Sequence, residues 1–152
     1  LEVRGPWVTG SYVGGSNAEA FTEDGWFKTG DVVQFDEEGL MAIVDRNKDL
    51  IRSGGEWISS VALENALAGL DGIREAAVIA VPHPRWQERP LALVVLREGA
   101  EAQPEAWRRG LEKLFPAWQC PDAFEAVPEL PRTATGKLDK RALRAQYANR
   151  RA

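Results

Sequence analysis

An α+β fold is what this sequence predicts: a small domain with a three-stranded sheet covered by helices plus a β-hairpin, preceded by a β-rich segment. Three observations carry the prediction. The runs REAAVIAVPH (74–83) and RPLALVVLRE (89–98) are nearly continuous apolar stretches rich in Val, Leu and Ile, the pattern of buried strands. Leu63, Leu67 and Leu70 recur at i, i+4 and i+7, and Trp107, Leu111 and Leu114 repeat that spacing, so two amphipathic helices are expected. VVQFD (32–36) and LMAIVD (40–45) flank the turn EEG, as in a β-hairpin.

Each element has its local reason. TEDGW (22–26) supplies a turn, and GWFKTGD leads into the first strand of the 32–45 hairpin, whose Gly39 suits a positive φ. From Lys48 the pattern changes. DLIRSGGEWIS (49–59) reads as two short strands joined at Gly54-Gly55, a pair that lets the backbone bend and approach a ligand closely. Ser59 or Ser60 caps the first helix, and Pro104 sits where a first-turn proline is tolerated. DAFEAV (122–127) is a short third strand, and the loop PRTATGK (131–137) leads to a helix from about Asp139. The domain boundary is placed near DRNKDL (45–50), giving segments 1–47 and 48–152. LEVRGPWVTGSYVGG begins without a methionine and reads as the middle of a β-rich region, so a piece of a longer protein is expected.

Composition narrows the function classes. With 44% hydrophobic and 28% charged residues the chain has the balance of a globular protein rather than a disordered one. No apolar run reaches the roughly 20 residues a membrane helix needs, and no secretory pattern opens the chain. The single cysteine, Cys120, excludes an internal disulfide and points to a cytoplasmic address. The single histidine, His83, argues against a His-based metal cluster or triad and is read as a packing or strand-end capping residue. Net charge is −4, yet Arg132, Lys137, Lys140, Arg141, Arg144, Arg150 and Arg151 face one acid, Asp139, in the last segment. That basic end reads as a solvated helix face, or as an attraction for phosphates.

Lys137 follows a glycine, which raises the question of a phosphate loop. A P-loop needs a glycine where Pro131 stands and a Ser or Thr where Leu138 stands, so this is not one, and no GxGxxG fingerprint replaces it. Four stretches remain as candidates for chemistry: GWFKTGD, DRNKDL, SGGEW and PRTATGK. Taken singly each has a structural explanation. Asp31 serves as a turn cap, Arg46 and Lys48 are linker charges, the glycines form a bend, and Lys137 is a solvated loop lysine.

In this order and spacing the four stretches resemble the C-terminal motifs of the acyl-adenylate-forming superfamily, which includes acyl-CoA synthetases, peptide-synthetase adenylation domains and luciferases. RGPWVTGSY resembles the superfamily's RGxxxxxGY segment, and FTEDGWFKTGD, SGGEWIS, VPHP and ERPLALVVL are similar to the medium- and long-chain fatty acyl-CoA synthetase branch. The resemblance covers essentially the whole chain. It implies a truncated, β-rich end of a large N-terminal adenylating domain over 1–47 and a mobile C-terminal lid over 48–152. The family's phosphate loop and YGxTE segment belong to that large domain, so the chain alone is expected to be inactive.

The implied enzyme is an AMP-forming fatty acid–CoA ligase. By resemblance Lys137 is catalytic, its ammonium offsetting the repulsion between a carboxylate and the α-phosphate of ATP. Asp31 matches the ribose-binding aspartate and Arg46 a donor to ribose or phosphate, with Trp57 a further nucleotide contact. Lys48 matches the hinge about which the lid rotates. Ser53, Gly54, Gly55 and Glu56 are the expected CoA contacts. Arg52 stands where relatives often carry lysine, and its role is open. ATP with Mg, held mainly by the N-terminal domain, and CoA as cosubstrate are implied, with that domain and the fatty acid as partners. An oily substrate would draw the enzyme to a membrane surface as a peripheral contact. Other readings are a ligase for aryl or short-chain acids, and a non-catalytic binding module of the same fold. Nucleic-acid binding by the basic end ranks last, since no aromatic platform lies beside those charges.

Overall fold

The computed structural model describes residues 1–12 and 17–148. Two compact units divide the chain, Leu1–Lys48 and Asp49–Ala152. No helix among the described residues is long and apolar enough to cross a membrane.

In the first unit, β1 (Glu2–Val3) pairs antiparallel with β2 (Phe27–Lys28), and β3 (Asp31–Phe35) pairs antiparallel with β4 (Met41–Arg46). The β3–β4 turn is made by Asp36, whose Oδ1 accepts from the backbone N–H groups of Glu38 and Leu40, and by Gly39 at φ 80°. Val33 faces Ile43 and Phe35 faces Met41 across this hairpin, so the four share one face. Phe35 is 61% and Ile43 62% exposed, and Asp45 is the one fully buried side chain among the described residues of the unit. Tyr12, Phe21 and Phe27 form a small aromatic cluster with ring centroids 5.5 to 6.4 Å apart.

The second unit is built on β7 (Ile73–His83) and β8 (Gln87–Leu96), a long antiparallel pair. β9 (Ala123–Ala126) runs parallel to β8 on the edge away from β7. The hairpin of β5 (Ile51–Ser53) and β6 (Glu56–Ile58) joins the same sheet through a single register pair, Ser53 with Gln87. The three-stranded sheet and the hairpin therefore form one five-stranded sheet, in which β5 and β9 share an edge of β8.

Both faces of the sheet are covered, which is why β7 and β8 read as continuous apolar runs rather than alternating ones. Val78, Ala92 and Val94 pack with Leu63 and Leu67 of α1 (Ser60–Ala68) and with Trp107 and Leu111 of α2 (Pro104–Leu111). Ala77, Ile79, Leu91 and Leu93 pack on the other side with Leu130 and with Leu143 of α3 (Lys140–Gln146). Ser59 is the cap of α1, its hydroxyl accepting from Ala62 N–H at 3.1 Å, and Asp139 caps α3 by accepting from Ala142 N–H. Gly110 lets α2 lie against the turn that follows α1, because a Cβ there would fall 2.8 Å from Leu70.

Two expectations need correction. Leu114 does not continue the apolar stripe of α2: the helix ends at Leu111, its last turn closes by Leu114 N–H donating to Leu111 O, and Leu114 is 67% exposed. The basic end is not one solvated face. Arg132 pairs with Glu75, Lys140 with Glu64, and Arg144 with Asp49 at 2.7 Å, so these charges are spent inside the unit; Arg150 and Arg151 lie outside the described residues.

Candidate functional site

The β3–β4 register brings Asp31 directly opposite Arg46. Arg46 Nε lies 2.7 Å from Asp31 Oδ1, with Asp31 largely buried and Arg46 half exposed, so the pair fixes the carboxylate while leaving Oδ2 to accept from a ligand. Lys48 follows in an exposed turn at the end of the first unit.

Gly54 and Gly55 connect β5 to β6 with φ of 62° and 93°, both in the region a two-residue hairpin loop requires and glycine tolerates. Gly54 has a second reason: a Cβ would stand 3.0 Å from the Trp86 ring, and its N–H donates to Trp86 O at 2.9 Å. The hairpin forms one wall of a cleft of about 340 Å³ lined by Ser53, Gly54, Glu56, Trp86, Arg89, Trp118 and Asp122. Of the expected CoA contacts, Ser53, Gly54 and Glu56 line it and Gly55 sits exposed at the turn. Trp57 is not among the lining residues; it is half exposed and stacks under the Arg52 guanidinium at 5.5 Å. Trp86 and Trp118, about two-fifths exposed, give the cleft aromatic walls, and the Arg85 guanidinium lies 4.4 Å over the Trp86 ring.

Lys137 is carried on a separate loop that is closed on itself. Thr133 N–H donates to Lys137 O and Gly136 N–H to Thr133 O, both at 2.8 Å; Thr133 Oγ1 accepts from Lys137 N–H; Asp139 N–H donates to Pro131 O. Gly136 takes φ 81° at the tip. The backbone is thus held while the Lys137 side chain is exposed and forms no ion pair among the described residues. Behind it, buried Lys140 donates to Ser60 Oγ and pairs with Glu64 Oε1, both at 2.7 Å, and Glu64 also accepts from Val78 N–H of the outer strand β7.

Sequence reading missed Trp86, Arg89, Trp118 and Asp122. The signal available was the pair Glu88-Arg89 at the head of an otherwise apolar strand, where a charge has to be bonded if it is buried. His83 does cap a strand end: its Nδ1 accepts from the N–H groups of Arg85 and Trp86 at 3.1 Å. Burial pushes the Cys120 thiol up, so it is a packing residue and not a nucleophile. Among the described residues no three His, Cys, Asp or Glu side chains are grouped to hold a metal ion.

Comparison with known proteins fits this geometry. A family model, the AMP-binding enzyme C-terminal domain, matches residues 62–137. The chain is 56% identical over 152 residues to a long-chain-fatty-acid–CoA ligase of Thermus thermophilus, covering 98% of this chain and 28% of the relative. It is 44% identical over 149 residues to a medium-chain-fatty-acid–CoA ligase of Ectopseudomonas oleovorans, covering 98% of this chain and 27% of the relative. The ATP-bound structure of MatB from Rhodopseudomonas palustris superposes with a TM-score of 0.86 at 34% identity, over 96% of this chain and 29% of that one. The chain thus spans less than a third of the length of these proteins. It belongs to the AMP-binding enzyme family of the acyl-adenylate-forming superfamily and carries that family's C-terminal domain.

Proposed function

We propose that this chain is the lid portion of a cytoplasmic, AMP-forming fatty acid–CoA ligase, with residues 1–47 the β-rich end of its large adenylating domain and 48–152 the mobile domain. The observation that carries the reading is the exposed ammonium of Lys137, without an ion pair among the described residues, on a loop whose backbone is closed by its own hydrogen bonds. A structural lysine has no need of so rigid a mount. The exposed Phe35, Met41 and Ile43 on one face of the β3–β4 hairpin support assigning the first segment to a larger body.

The reaction has two halves. A fatty acid carboxylate attacks the α-phosphate of ATP, forming the acyl-adenylate and releasing pyrophosphate; the CoA thiol then attacks the acyl carbon and AMP leaves. Lys137 places positive charge where two anions meet in the first half, an effect worth far more in a site shielded from water than in bulk solvent. Asp31 accepts from the ribose hydroxyls through the oxygen that Arg46 leaves open, and Arg46 donates its remaining N–H groups toward the phosphate side. Trp57 lies over the nucleotide. ATP is taken with Mg, held mainly by the large adenylating domain, and no step here depends on the ion. For the second half the lid turns about Lys48, withdraws Lys137, and presents the Ser53–Glu56 hairpin to CoA. The cleft walled by Trp86 and Trp118 receives part of that cosubstrate.

The test is Lys137→Ala in the full-length polypeptide that carries these residues, with the halves assayed separately. Adenylate formation is expected to fall by about 10²-fold or more, the scale of losing one preorganised electrostatic contact. Thioester formation from preformed acyl-adenylate and CoA is expected to persist. Unchanged adenylate formation would overturn the assignment.

A further inference from the structure

We propose that Arg89 is the positioning residue of the cleft: it sets the spacing between the Ser53–Glu56 hairpin and the Trp118 wall, and through that spacing the affinity for CoA. The inference rests on the reading that this cleft takes CoA.

An arginine lining a cleft for a phosphate-bearing ligand invites assignment as an anion contact. The geometry says otherwise. Its side chain is 8% exposed, and five hydrogen bonds account for the donors of the guanidinium. Nε and one terminal nitrogen fork onto the two oxygens of Asp122 at 2.7 Å each. That nitrogen also donates to Cys120 O, and the other donates to Ser53 Oγ at 3.0 Å and to Trp118 O. Nothing remains for a phosphate. One planar group instead joins β5, the 117–120 turn and the residue ahead of β9.

The strand ladder does not supply this connection. β5 meets β8 through one register pair, so its ladder hardly fixes where the hairpin sits. Beside the buried Ile51 and Ile58, the hairpin is held by Arg89 donating to Ser53 Oγ, by Glu88 Oε2 accepting from Arg52 N–H at 2.8 Å, and by Gly54 N–H donating to Trp86 O. Of these only the Arg89 bond belongs to a group that also holds Trp118. A lysine has the charge, but its donors leave from a single nitrogen rather than a planar fork, so it does not serve all these acceptors at once.

In the full-length polypeptide, Arg89→Lys and Asp122→Asn, alone and together, are compared with Trp86→Ala and Trp118→Ala. KM for CoA, kcat for thioester formation, and pyrophosphate release in the absence of CoA are measured beside the thermal unfolding midpoint. Arg89→Lys is expected to raise KM for CoA by about tenfold or more, the effect of losing charge-assisted hydrogen bonds. Asp122→Asn acts in the same direction, the double variant adds less than the product of the two, and pyrophosphate release falls much less than CoA use. If both tryptophan variants raise KM for CoA while Arg89→Lys and Asp122→Asn leave it unchanged, the positioning role is refuted and the cleft assignment stands. If the tryptophan variants also leave it unchanged, CoA does not use the cleft and both ideas fall. Equal losses in both halves, tracking a lowered midpoint, would make Arg89 a stability residue only and overturn the proposal.

Discussion

Lys140→Met probes whether a charge buried beside β7 stabilises the second unit. Lys140 and Glu64 side chains are 10% and 14% exposed, and their 2.7 Å contact is completed by Ser60 Oγ and by the Val78 N–H that Glu64 accepts. An exposed pair contributes about 0–1 kcal/mol, whereas removing one partner of a buried pair costs about 3–5 kcal/mol because the other charge is left uncompensated. The exposures place this pair in the second class. Glu64 keeps one partner in Val78 N–H, which puts the expected loss near the lower bound, about 3 kcal/mol. For a unit of this size that corresponds to a fall of roughly 12 °C or more in the unfolding midpoint. Urea unfolding followed by tryptophan fluorescence measures it, since Trp107 is buried in the same unit. Glu64→Gln, which keeps an acceptor for Val78 and strands the ammonium instead, is expected to cost a similar amount, and the double variant clearly less than the sum. A loss below about 1 kcal/mol for Lys140→Met, or simple additivity in the double variant, would refute the argument and class the contact with surface pairs.

Other expectations follow from single positions. Gly54→Ala forces a side chain into positive φ and against the Trp86 ring, so it is expected to lower stability by about 1–3 kcal/mol and to exceed Gly55→Ala, where a Cβ meets nothing within 4 Å; paired denaturation curves check the order. Cys120 is held protonated by burial, so iodoacetamide should label the native chain only at the rate at which it unfolds; rapid labelling at pH 8 would contradict this. The sign for pH follows from the same shift. The unfolded thiol ionises first, so the stability contributed by Cys120 is complete below the ordinary thiol range and is lost as pH rises through it, an effect Cys120→Ala should remove.

What the sequence disclosed depended on distance along the chain. Ser59, Pro104 and Asp139 act within a turn of their own position, and the paired glycines at 54 and 55 announce their bend by composition alone. β7 and β8 were legible because both faces are covered, so that apart from the charges at their starts they are nearly continuous apolar runs. The misreadings share a cause. Lys140 meets Ser60 across 80 residues and Arg144 meets Asp49 across 95, so nothing in the local run of basic residues reveals that these charges are paired. Arg89 shows only as a charge at the head of an apolar strand, while its acceptors at Ser53 and Asp122 stand 36 residues before and 33 after it. Periodicity reports which residues turn inward, not what they meet. Leu114 is a different case: its spacing was helical, but nothing in the spacing said that the helix would close one turn earlier.

The hinge proposed for Lys48 can be argued from its neighbours. On one side Arg46 is tied to Asp31 and Asn47 N–H donates to Gly30 O at 2.8 Å, so the chain is held to the first unit through residue 47. On the other side Asp49, with a side chain 12% exposed, is held by Arg144 of α3 at 2.7 Å. Lys48 is the residue between these two anchors, and if the lid turns, the change of direction would concentrate in its φ and ψ. Lys48→Pro fixes φ near −65°. If the two halves of the reaction need two lid positions, this variant should depress one half far more than the other, the half depending on which position a φ near −65° favours. Equal effects on both would place the turning point elsewhere. Arg144→Gln works in the opposite sense: freeing Asp49 would lengthen the proposed hinge, and the two halves should then weaken together, because a longer hinge would position Lys137 and the hairpin less well.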